Sequence, residues 1–453
     1  MRVLLASSIG VACAAALVLP LSTPSGAAAP RDVRTASDVP GSTESLPLAP
    51  LGSERSPGAA TEQGLTRRDV QPFSLVGVVW DDADAELNGS VQVRNRSAET
   101  GAWSGWQNLE THNAEHGADL GTSERDSGTV RGSTAPLWVG ASDGVQVRVR
   151  AEDHPDADAD ADPDDAWPED PARAPGEAAS DAPVAGSPAA HAPETRPARR
   201  PLPHGLSLEL INPGEAPEQL PVPGAAPSRV SAGGAGVGAG ASAGAGAGAA
   251  VGQAPRPRIV TRKGWGANEK LREKQFGYTK TVKAAFVHHS ATGNNYTCKQ
   301  APSVIRGIYR YHVTSSGWRD IGYNFAVDKC GTIYEGRAGG VARPVMGAHT
   351  LGFNTNSTGI AVLGSYSTTT PPAAVTTALA KLTAWKLGLH GINPKGKVTL
   401  TSAGGNKYAK GRKVSMNAVS GHRDGYVTDC PGNRLYGKLG TVRVSAAKYQ
   451  GRS

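Results

Sequence analysis

The stretch FVHHSAT, residues 286–292, decides how the second half of this chain folds. Its apolar lead-in, residues 284–287, has the length and composition of a buried strand. That strand would present two histidines, His288 and His289, at its end. Because a strand end is rigid, a side chain there can be held as closely as a metal ligand requires. The pattern predicts a metal ligand at this position, and a histidine packed at the end of a sheet is the alternative.

A second polar cluster lies far downstream, in the stretch GHRDGYVTDCPG, residues 421–432. It offers His422 and Cys430, eight positions apart. One histidine of the first stretch together with these two side chains makes a set of two histidines and one cysteine. Catalytic zinc sites use three protein ligands and leave a fourth position open. The two stretches together therefore predict a catalytic zinc site, whereas Cys430 alone would more simply be read as a disulfide partner.

The amino terminus has the pattern of a secretory signal. Residues 1–29 contain a single early charge, a long apolar run and three small residues before Pro30. This arrangement is typical of a signal that is cleaved, although a membrane anchor is the alternative. We expect the mature protein to be secreted, associated with the cell wall and free of the membrane.

The cysteine count agrees with a metal site. Export leaves three cysteines, Cys298, Cys330 and Cys430, and an odd number in an oxidising compartment leaves one unpaired. Cys298 precedes a predicted helix and Cys330 lies at a strand end, so we expect a disulfide between them. Cys430 then remains beside His422, and binding to zinc would explain why it stays reduced.

Charge is divided unevenly along the chain. Residues 256–453 carry 30 Lys and Arg against 7 Asp and Glu, a net charge of +23, whereas the remainder carries 17 against 33, a net charge of −16. A basic domain outside the cell suggests an anionic polymer as partner. Wall teichoic acids and the carboxylates of peptidoglycan are favoured over nucleic acid, because aromatic side chains are not interleaved with the basic ones.

Composition also divides the 453 residues into segments. After the signal we expect a disordered or propeptide-like stretch (30–70), a small all-β module with the pattern of a sandwich (71–150), an acidic linker (151–204), a strand that can complete the module (205–212), a Gly/Ala-rich linker (213–257) and an α/β domain (258–445). The last has a mixed central sheet flanked by helices. The linkers are expected to be long, disordered and to separate two independently folded parts.

Six ordered motifs carry a resemblance to a known family. They are RKGWGA (262–267), FVHHSA (286–291), GWRDIGYNF (317–325), YEGR (334–337), GAH (347–349) and GHR with DCPG (421–423 and 429–432). Together they resemble the peptidoglycan recognition proteins, also called type 2 N-acetylmuramoyl-L-alanine amidases. The resemblance covers residues 258–440, and the order of segments is similar to that of secreted actinobacterial amidases.

The resemblance implies a ligand set. It makes His288 the zinc ligand, with His422 and Cys430, and leaves His289 as a structural neighbour. Family members that only bind peptidoglycan typically lose the cysteine ligand, whereas this chain keeps it. The implied activity is zinc-dependent hydrolysis of the amide between the lactyl group of MurNAc and L-alanine, by a monomer. Non-catalytic binding of peptidoglycan is the alternative.

The resemblance also implies roles for residues around the metal. Tyr323 matches the catalytic tyrosine of the family. Thr428 stands where phage and many bacterial members have a lysine, so it can donate a hydrogen bond there but carries no charge. His349 and Asn354 would line the substrate cleft, although a loop packed by its own hydrogen bonds explains them equally well. Arg337 would contact a carboxylate of the stem peptide.

Overall fold

A computed structural model describes residues 41–51, 62–111, 113, 115–152, 201–215 and 252–453. These residues all fall within one compact unit, Val39–Ser453. The predicted signal and most of the two predicted linkers lie outside them. In this described part of the chain, no helix combines the length and the apolarity that a membrane crossing requires.

The amino-terminal module contains eight strands: β1 Ser42–Pro47, β2 Ala49–Pro50, β3 Glu62–Trp80, β4 Gly89–Ser97, β5 Gln107–Leu109, β6 Gly132–Ser133, β7 Leu137–Ala151 and β8 Ser207–Asn212. The predicted all-β class is confirmed. The strands form one sheet in the order β1-β8-β3-β7-β4-β5, with β2 and β6 also paired to β3, rather than the two sheets of a sandwich. The long strand β3 changes register three times against β7, and such bulges bend a strand and let one sheet curve.

The expectation of disorder over residues 30–70 is wrong for β2, for residues 62–70 of β3 and for β1. This strand pairs antiparallel with β8 along its whole length, and β8 in turn pairs with β3. Of the six side chains in β1 only Leu46 is buried. Backbone hydrogen bonds therefore hold this strand in the sheet. Because its side chains are mostly not buried, the sequence shows no apolar alternation that would predict a strand.

The carboxy-terminal domain contains β9 Ile259–Val260, α1 Arg262–Trp265, β10 Ala284–His289, α2 Ala301–Arg310, β11 Phe325–Val327, β12 Ile333–Glu335, β13 Ser357–Val362, α3 Ala373–Gly388, β14 Lys397–Thr401, β15 Lys413–Asn417, β16 Val419–Gly421, α4 His422–Gly425, α5 Asn433–Tyr436 and α6 Leu439–Tyr449. A π-helical turn, Tyr311–Ser315, continues α2. The predicted mixed α/β class is confirmed.

The central sheet of this domain has the order β16-β10-β13-β11-β12-β9. The first four strands run parallel, and β12 is antiparallel to β11. Helices α3 and α6 cover one face, where they share a core with Val287, Ile360 and Val362, and α2 covers the other. Parallel strands end at the same edge of a sheet, so the residues that follow β10 and β16 lie side by side.

Cys298 and Cys330 are joined by a disulfide with a Cα–Cα distance of 6.2 Å, as we expected from the sequence. The bridge links the start of α2 to the turn between β11 and β12. Cys430 is buried and stands outside it.

The module and the carboxy-terminal domain pack against each other, which corrects the expectation of two independently folded parts. Leu75, Val79, Trp138 and Ile211 of the module share one hydrophobic cluster with α2. The hydroxyl of Tyr311 donates to the carbonyl oxygens of both Val78 (3.2 Å) and Thr134 (3.1 Å). Burial of the second face of β3 against α2 joins the two parts into one folded body.

Candidate functional site

The strand β10 sorts its two histidines onto opposite faces of the sheet. Side chains alternate along a strand, so His288 shares a face with Phe286 and His289 shares the other face with Val287. Val287 lies in the core under α3 and α6, whereas Phe286 packs with Phe353 on the opposite side. Only one of the two histidines can therefore meet a partner on the Phe286 side.

That partner is His422. Strand β16 pairs in parallel with β10, and His422 follows its last residue as the first residue of α4. The ring centroids of His288 and His422 are 4.5 Å apart. The Sγ atom of Cys430 lies 3.8 Å from Nδ1 of His288. The three residues predicted as ligands thus come together at one edge of the sheet.

Each of these three groups is fully buried. Burial, with neighbouring histidines as a smaller cause, lowers the pKa of His288 and of His422 well below the ordinary value, which keeps both rings neutral. Burial raises the pKa of the Cys430 thiol. Among the described residues, neither ring nitrogen of His422 has a hydrogen-bond partner. Neutral imidazole nitrogen and cysteine sulfur are zinc donors, so the unpartnered nitrogens and the donor set both fit a zinc ion.

A fourth potential ligand comes from the amino-terminal module. His116, in the loop between β5 and β6, places its ring centroid 4.6 Å from that of His422 and 5.3 Å from that of His288. The potential ligand atoms of His116, His288, His422 and Cys430 all lie within 4.8 Å of one another. Burial lowers the pKa of His116 to about 3, and neither of its ring nitrogens has a hydrogen-bond partner among the described residues.

Sequence reasoning missed His116. The histidine belongs to residues 115–124, here called the cleft segment, which contains three acidic residues and no lysine or arginine. No apolar period marks this segment, because its residues belong to a loop between two strands. The one feature that could have indicated a functional residue here is the length of the polar stretch between β5 and β6, more than 20 residues, since long loops in compact domains are often functional.

Tyr323 lies beside the four potential ligands. Its ring centroid is 5.5 Å from that of His288 and 5.8 Å from that of His116. Burial raises the pKa of Tyr323 well above its ordinary value, with the nearby Cys430 adding to the effect. Its hydroxyl therefore stays protonated at neutral pH and can donate a hydrogen bond.

Thr428 is engaged by the cleft segment. Its hydroxyl donates to Oε1 of Glu115 (2.8 Å) and accepts from the backbone N–H of Cys430 (3.1 Å). The threonine thus stands two residues before Cys430, close to the four potential metal ligands, and already has Glu115 as its hydrogen-bond partner.

His349 is enclosed within its own loop, next to His288. It is fully buried, with its ring centroid 5.3 Å from that of His288 and its Nδ1 3.0 Å from Oγ1 of Thr350. Gly347 and Gly359 approach it so closely that an added Cβ at either position would lie about 2.4 Å or less from the ring. The structure therefore shows a packed loop histidine at this position, which was the alternative reading.

Asn354 contacts both its own loop and the cleft segment. Its Oδ1 accepts hydrogen bonds from the backbone N–H groups of His349 (2.7 Å) and Thr350 (3.1 Å), which fixes its own loop. Its Nδ2 donates to the carbonyl oxygen of Gly117 (2.8 Å) and to Oδ1 of Asp119 (2.7 Å). The amide that was expected to face a substrate faces the cleft segment instead.

Arg337 holds a carboxylate, but that carboxylate belongs to the protein. Its Nη1 and Nη2 donate to the two oxygens of Glu124, at 2.8 and 2.7 Å, in a bidentate ion pair. Both side chains are buried, at 8% and 6% exposure. Burial alone would raise the pKa of Glu124, but Arg337 and Arg319 together outweigh burial and hold that pKa below the ordinary value. The expected contact between Arg337 and a substrate carboxylate is therefore replaced by Glu124.

Comparison with known proteins finds relatives for both parts of the chain. A family model described as "N-acetylmuramoyl-L-alanine amidase" matches residues 278–433, a range that contains three of the four potential ligands. A second, described as "Rv3811 N-terminal galactose-binding domain-like", matches residues 30–181.

Individual relatives match the carboxy-terminal domain. Peptidoglycan-recognition protein SC2 of Drosophila simulans is 32% identical over 185 residues, which are 40% of this chain and 85% of that protein. The N-acetylmuramoyl-L-alanine amidase of Homo sapiens is 30% identical over 195 residues, 41% of this chain and 28% of the human protein. The solved structure of wild-type Drosophila PGRP-LB is 28% identical, covers 40% of this chain and 92% of its own, and has a TM-score of 0.32.

Proposed function

This chain belongs to the family of peptidoglycan-recognition proteins and type 2 N-acetylmuramoyl-L-alanine amidases, and from that premise we propose that it is a zinc-dependent amidase. The proposed substrate is the stem peptide of peptidoglycan, cleaved between the lactyl group of MurNAc and L-alanine. The observation that carries this proposal is the convergence of His288, His422 and Cys430 at one sheet edge beside Tyr323.

In this proposal His288, His422 and Cys430 hold the zinc ion. When bound, zinc acidifies water and polarises a carbonyl group. The reaction consumes one water molecule: it adds to the lactyl carbonyl carbon, the C–N bond breaks, and a lactyl carboxylate and the free amine of L-alanine result. The buried site around the three ligands strengthens electrostatic interactions with the charge that develops on the carbonyl oxygen.

Tyr323 and Thr428 are the proposed donors to that oxygen. Tyr323 remains a phenol at neutral pH because burial raises its pKa, so its O–H can donate as negative charge develops. Thr428 can donate in the same way once its hydroxyl is released from Glu115, and it brings no charge. Preorganised donors of this kind contribute without a change in their own protonation.

The proposed place of action is outside the cell, on the wall. The signal pattern of residues 1–29 and the net charge of +23 on residues 256–453 support this, because a basic surface is attracted to anionic wall polymers. A monomer that binds peptidoglycan, with teichoic acid as a second partner, is the form that we propose.

Mass spectrometry of purified muropeptides tests the activity. The zinc-loaded full chain should release free stem peptide and leave an unmodified MurNAc-containing glycan over a long incubation. A Cys430→Ala variant and a sample treated with EDTA should release none. If the wild type and the variants His116→Ala and Glu124→Ala all bind peptidoglycan but none of them cleaves it, the protein is a recognition protein instead.

A further inference from the structure

The cleft segment belongs to the amino-terminal module but contacts residues of the carboxy-terminal domain for which a role is proposed. Glu115 accepts a hydrogen bond from Thr428, and Glu124 pairs with Arg337. We propose that the cleft segment closes the site from within: His116 is a fourth protein ligand of the zinc ion, and the acidic residues around it occupy the positions of substrate. This inference rests on the proposed function, since the closed site is the proposed amidase site. It assigns a ligand from outside the amidase domain and a latent state to the protein.

The first argument is the number of ligands. A catalytic zinc site keeps one of four positions open for water or substrate, whereas a site with four protein ligands is closed. His116 brings a fourth donor within 4.8 Å of the other three. The residue is 7% exposed, and its two ring nitrogens have no hydrogen-bond partner in the described part of the chain. Burying an unpartnered imidazole is costly, and a shared metal ion removes that cost.

The second argument is the carboxylate of Glu124. It forms a bidentate pair with Arg337, the residue predicted to bind a stem-peptide carboxylate, and also accepts from the backbone N–H of Arg319 (3.3 Å). Bidentate guanidinium–carboxylate pairs are specific in geometry as well as in charge. Glu124 therefore presents the same chemical group that the substrate would bring to Arg337.

The third argument is the set of hydrogen bonds that the rest of the cleft segment forms with the carboxy-terminal domain. Asp119 accepts from the backbone N–H of Gly352 (2.8 Å) and from the side chain of Asn354 (2.7 Å). Glu115 accepts from Thr428 through its side chain and from the N–H of Leu351 (2.9 Å) through its carbonyl oxygen. The segment is thus bound to the carboxy-terminal domain at residues 115–119 and again at Glu124.

The module also holds the segment from behind. Its sheet packs on α2, and Tyr311 donates to two of its carbonyl oxygens. The cleft segment is therefore held in place by a module that is itself packed against the carboxy-terminal domain. A polymer can reach the proposed metal site only if the segment or the whole module moves. An equilibrium of 1:99 between open and closed forms lowers the apparent affinity for substrate about 100-fold.

Cobalt substitution of the full chain tests the ligand role of His116 without measuring activity. Absorption spectra of Co²⁺ report the ligand number, and azide serves as a small probe that needs an open position. We expect azide to leave the wild-type spectrum unchanged and to alter the spectra of His116→Ala and His116→Gln. Both variants should also bind the metal at least about tenfold more weakly.

His204→Ala is the matched control, because His204 is an exposed histidine of the same module. It should behave like the wild type in both measurements. His116→Gln fills much of the space of the ring, and circular dichroism verifies that each variant is folded. A wild-type protein that binds azide as readily as His116→Ala would overturn the fourth ligand.

Hydrolysis of a purified muropeptide tests the occupation of the cleft. Glu124→Ala in the zinc-loaded full chain should raise kcat/KM at least about tenfold, because it frees Arg337 and weakens the segment. Glu99→Ala, at an exposed glutamate of the module, is the control and should leave the rate unchanged. If the wild type cleaves measurably and Glu124→Ala cleaves no faster, the closure is overturned.

The two experiments separate this inference from the proposed function. If the cobalt spectra differ as expected but no variant cleaves muropeptides, the amidase proposal fails and the closed metal site stands. If the wild type binds azide and cleaves as fast as Glu124→Ala, the closure fails and the amidase stands.

Discussion

Tyr323 offers a residue-scale test of the proposed chemistry. Its buried hydroxyl stays protonated, so Tyr323→Phe removes one donor to the developing oxyanion and little else. We expect kcat to fall by roughly 100-fold with KM nearly unchanged. The rate is measured on a purified muropeptide in the His116→Ala protein, so that closure does not mask the effect.

Tyr334→Phe is its matched control. The hydroxyl of Tyr334 donates to Oδ2 of Asp328 (2.8 Å), within the domain core. Its loss should lower the free energy of unfolding by about 1 kcal/mol and leave kcat alone. Equal effects of the two substitutions on kcat would assign Tyr323 a merely structural role.

The pair of Glu124 and Arg337 makes stability depend on pH. The folded pKa of Glu124 is depressed, so its contribution is fully present above its ordinary value of 4.5 and is lost as pH falls through the folded pKa. Glu124→Gln leaves the buried Arg337 without its counterion, which should destabilise the closed form by about 3 kcal/mol at neutral pH.

Urea denaturation between pH 3 and pH 7, an interval of roughly 4 units around the ordinary Glu pKa, measures this dependence. The wild type should lose stability on the acid side more steeply than Glu124→Gln. Glu99→Gln should follow the wild type. Parallel curves for wild type and Glu124→Gln would contradict a charged, paired Glu124.

At the same scale, the sequence specified part of the site. The end of a buried strand indicated a histidine ligand, and alternation along β10 separates His288 from His289 once the packed face is known. Arg337 was expected to contact a carboxylate of the stem peptide, whereas in the structure it pairs with Glu124, 213 residues away along the chain. No local pattern encodes such a contact, because it depends on how two separately patterned parts dock.

Tyr311 gives an element-scale test of docking. It sits on the π-helical turn after α2 and donates to Val78 and Thr134 of the module. Tyr311→Phe leaves the packing in place but removes both hydrogen bonds, which should weaken docking by about 1–3 kcal/mol. Hydrogen exchange in the cleft segment should then accelerate by roughly tenfold or more.

Tyr309→Phe is the control on the same helix. The hydroxyl of Tyr309 donates to the carbonyl oxygen of Asn268, inside its own domain. This variant should leave exchange in the cleft segment unchanged. Equal acceleration in both variants would mean that the helix, rather than the interface, had been loosened.

One feature of the sequence did indicate that the module packs against another part of the chain. It was overlooked because the other strands of the module alternate between apolar and polar residues. Residues 75–80 of β3, LVGVVW, form a continuous apolar run, and every one of them is buried. Continuous runs indicate strands that are covered on both faces, whereas a strand with one solvated face alternates. The run thus required a second covering layer, although nothing in it could identify α2 as that layer.

At the scale of the whole molecule, the charge distribution predicts that the protein binds cell walls electrostatically. The basic half carries a net charge of +23, and Lys410, Arg412 and Lys413 form an exposed group within it. Binding to isolated walls should fall sharply at roughly 1 M salt, where the screening length is about 3 Å. Glutamine at these three positions should weaken wall binding by roughly tenfold.

Cleavage of small soluble muropeptides should not change in this triple variant, since the three side chains lie outside the cleft. Walls stripped of teichoic acid serve as the second arm of the sedimentation assay. Salt-independent binding to both wall preparations would contradict an electrostatic attachment and would favour recognition of the glycan or stem peptide alone.

The distance along the chain between the cleft segment and its partners has a consequence for biogenesis. Glu115 precedes Thr428 by 313 residues. At the usual rates of translation the ribosome completes the segment roughly 15 to 60 s before the cysteine ligand emerges. In the closure proposed above, the segment that covers the site is therefore synthesised before the domain that it covers. The proposed catalytic domain would then always emerge with its covering segment already present in the same chain.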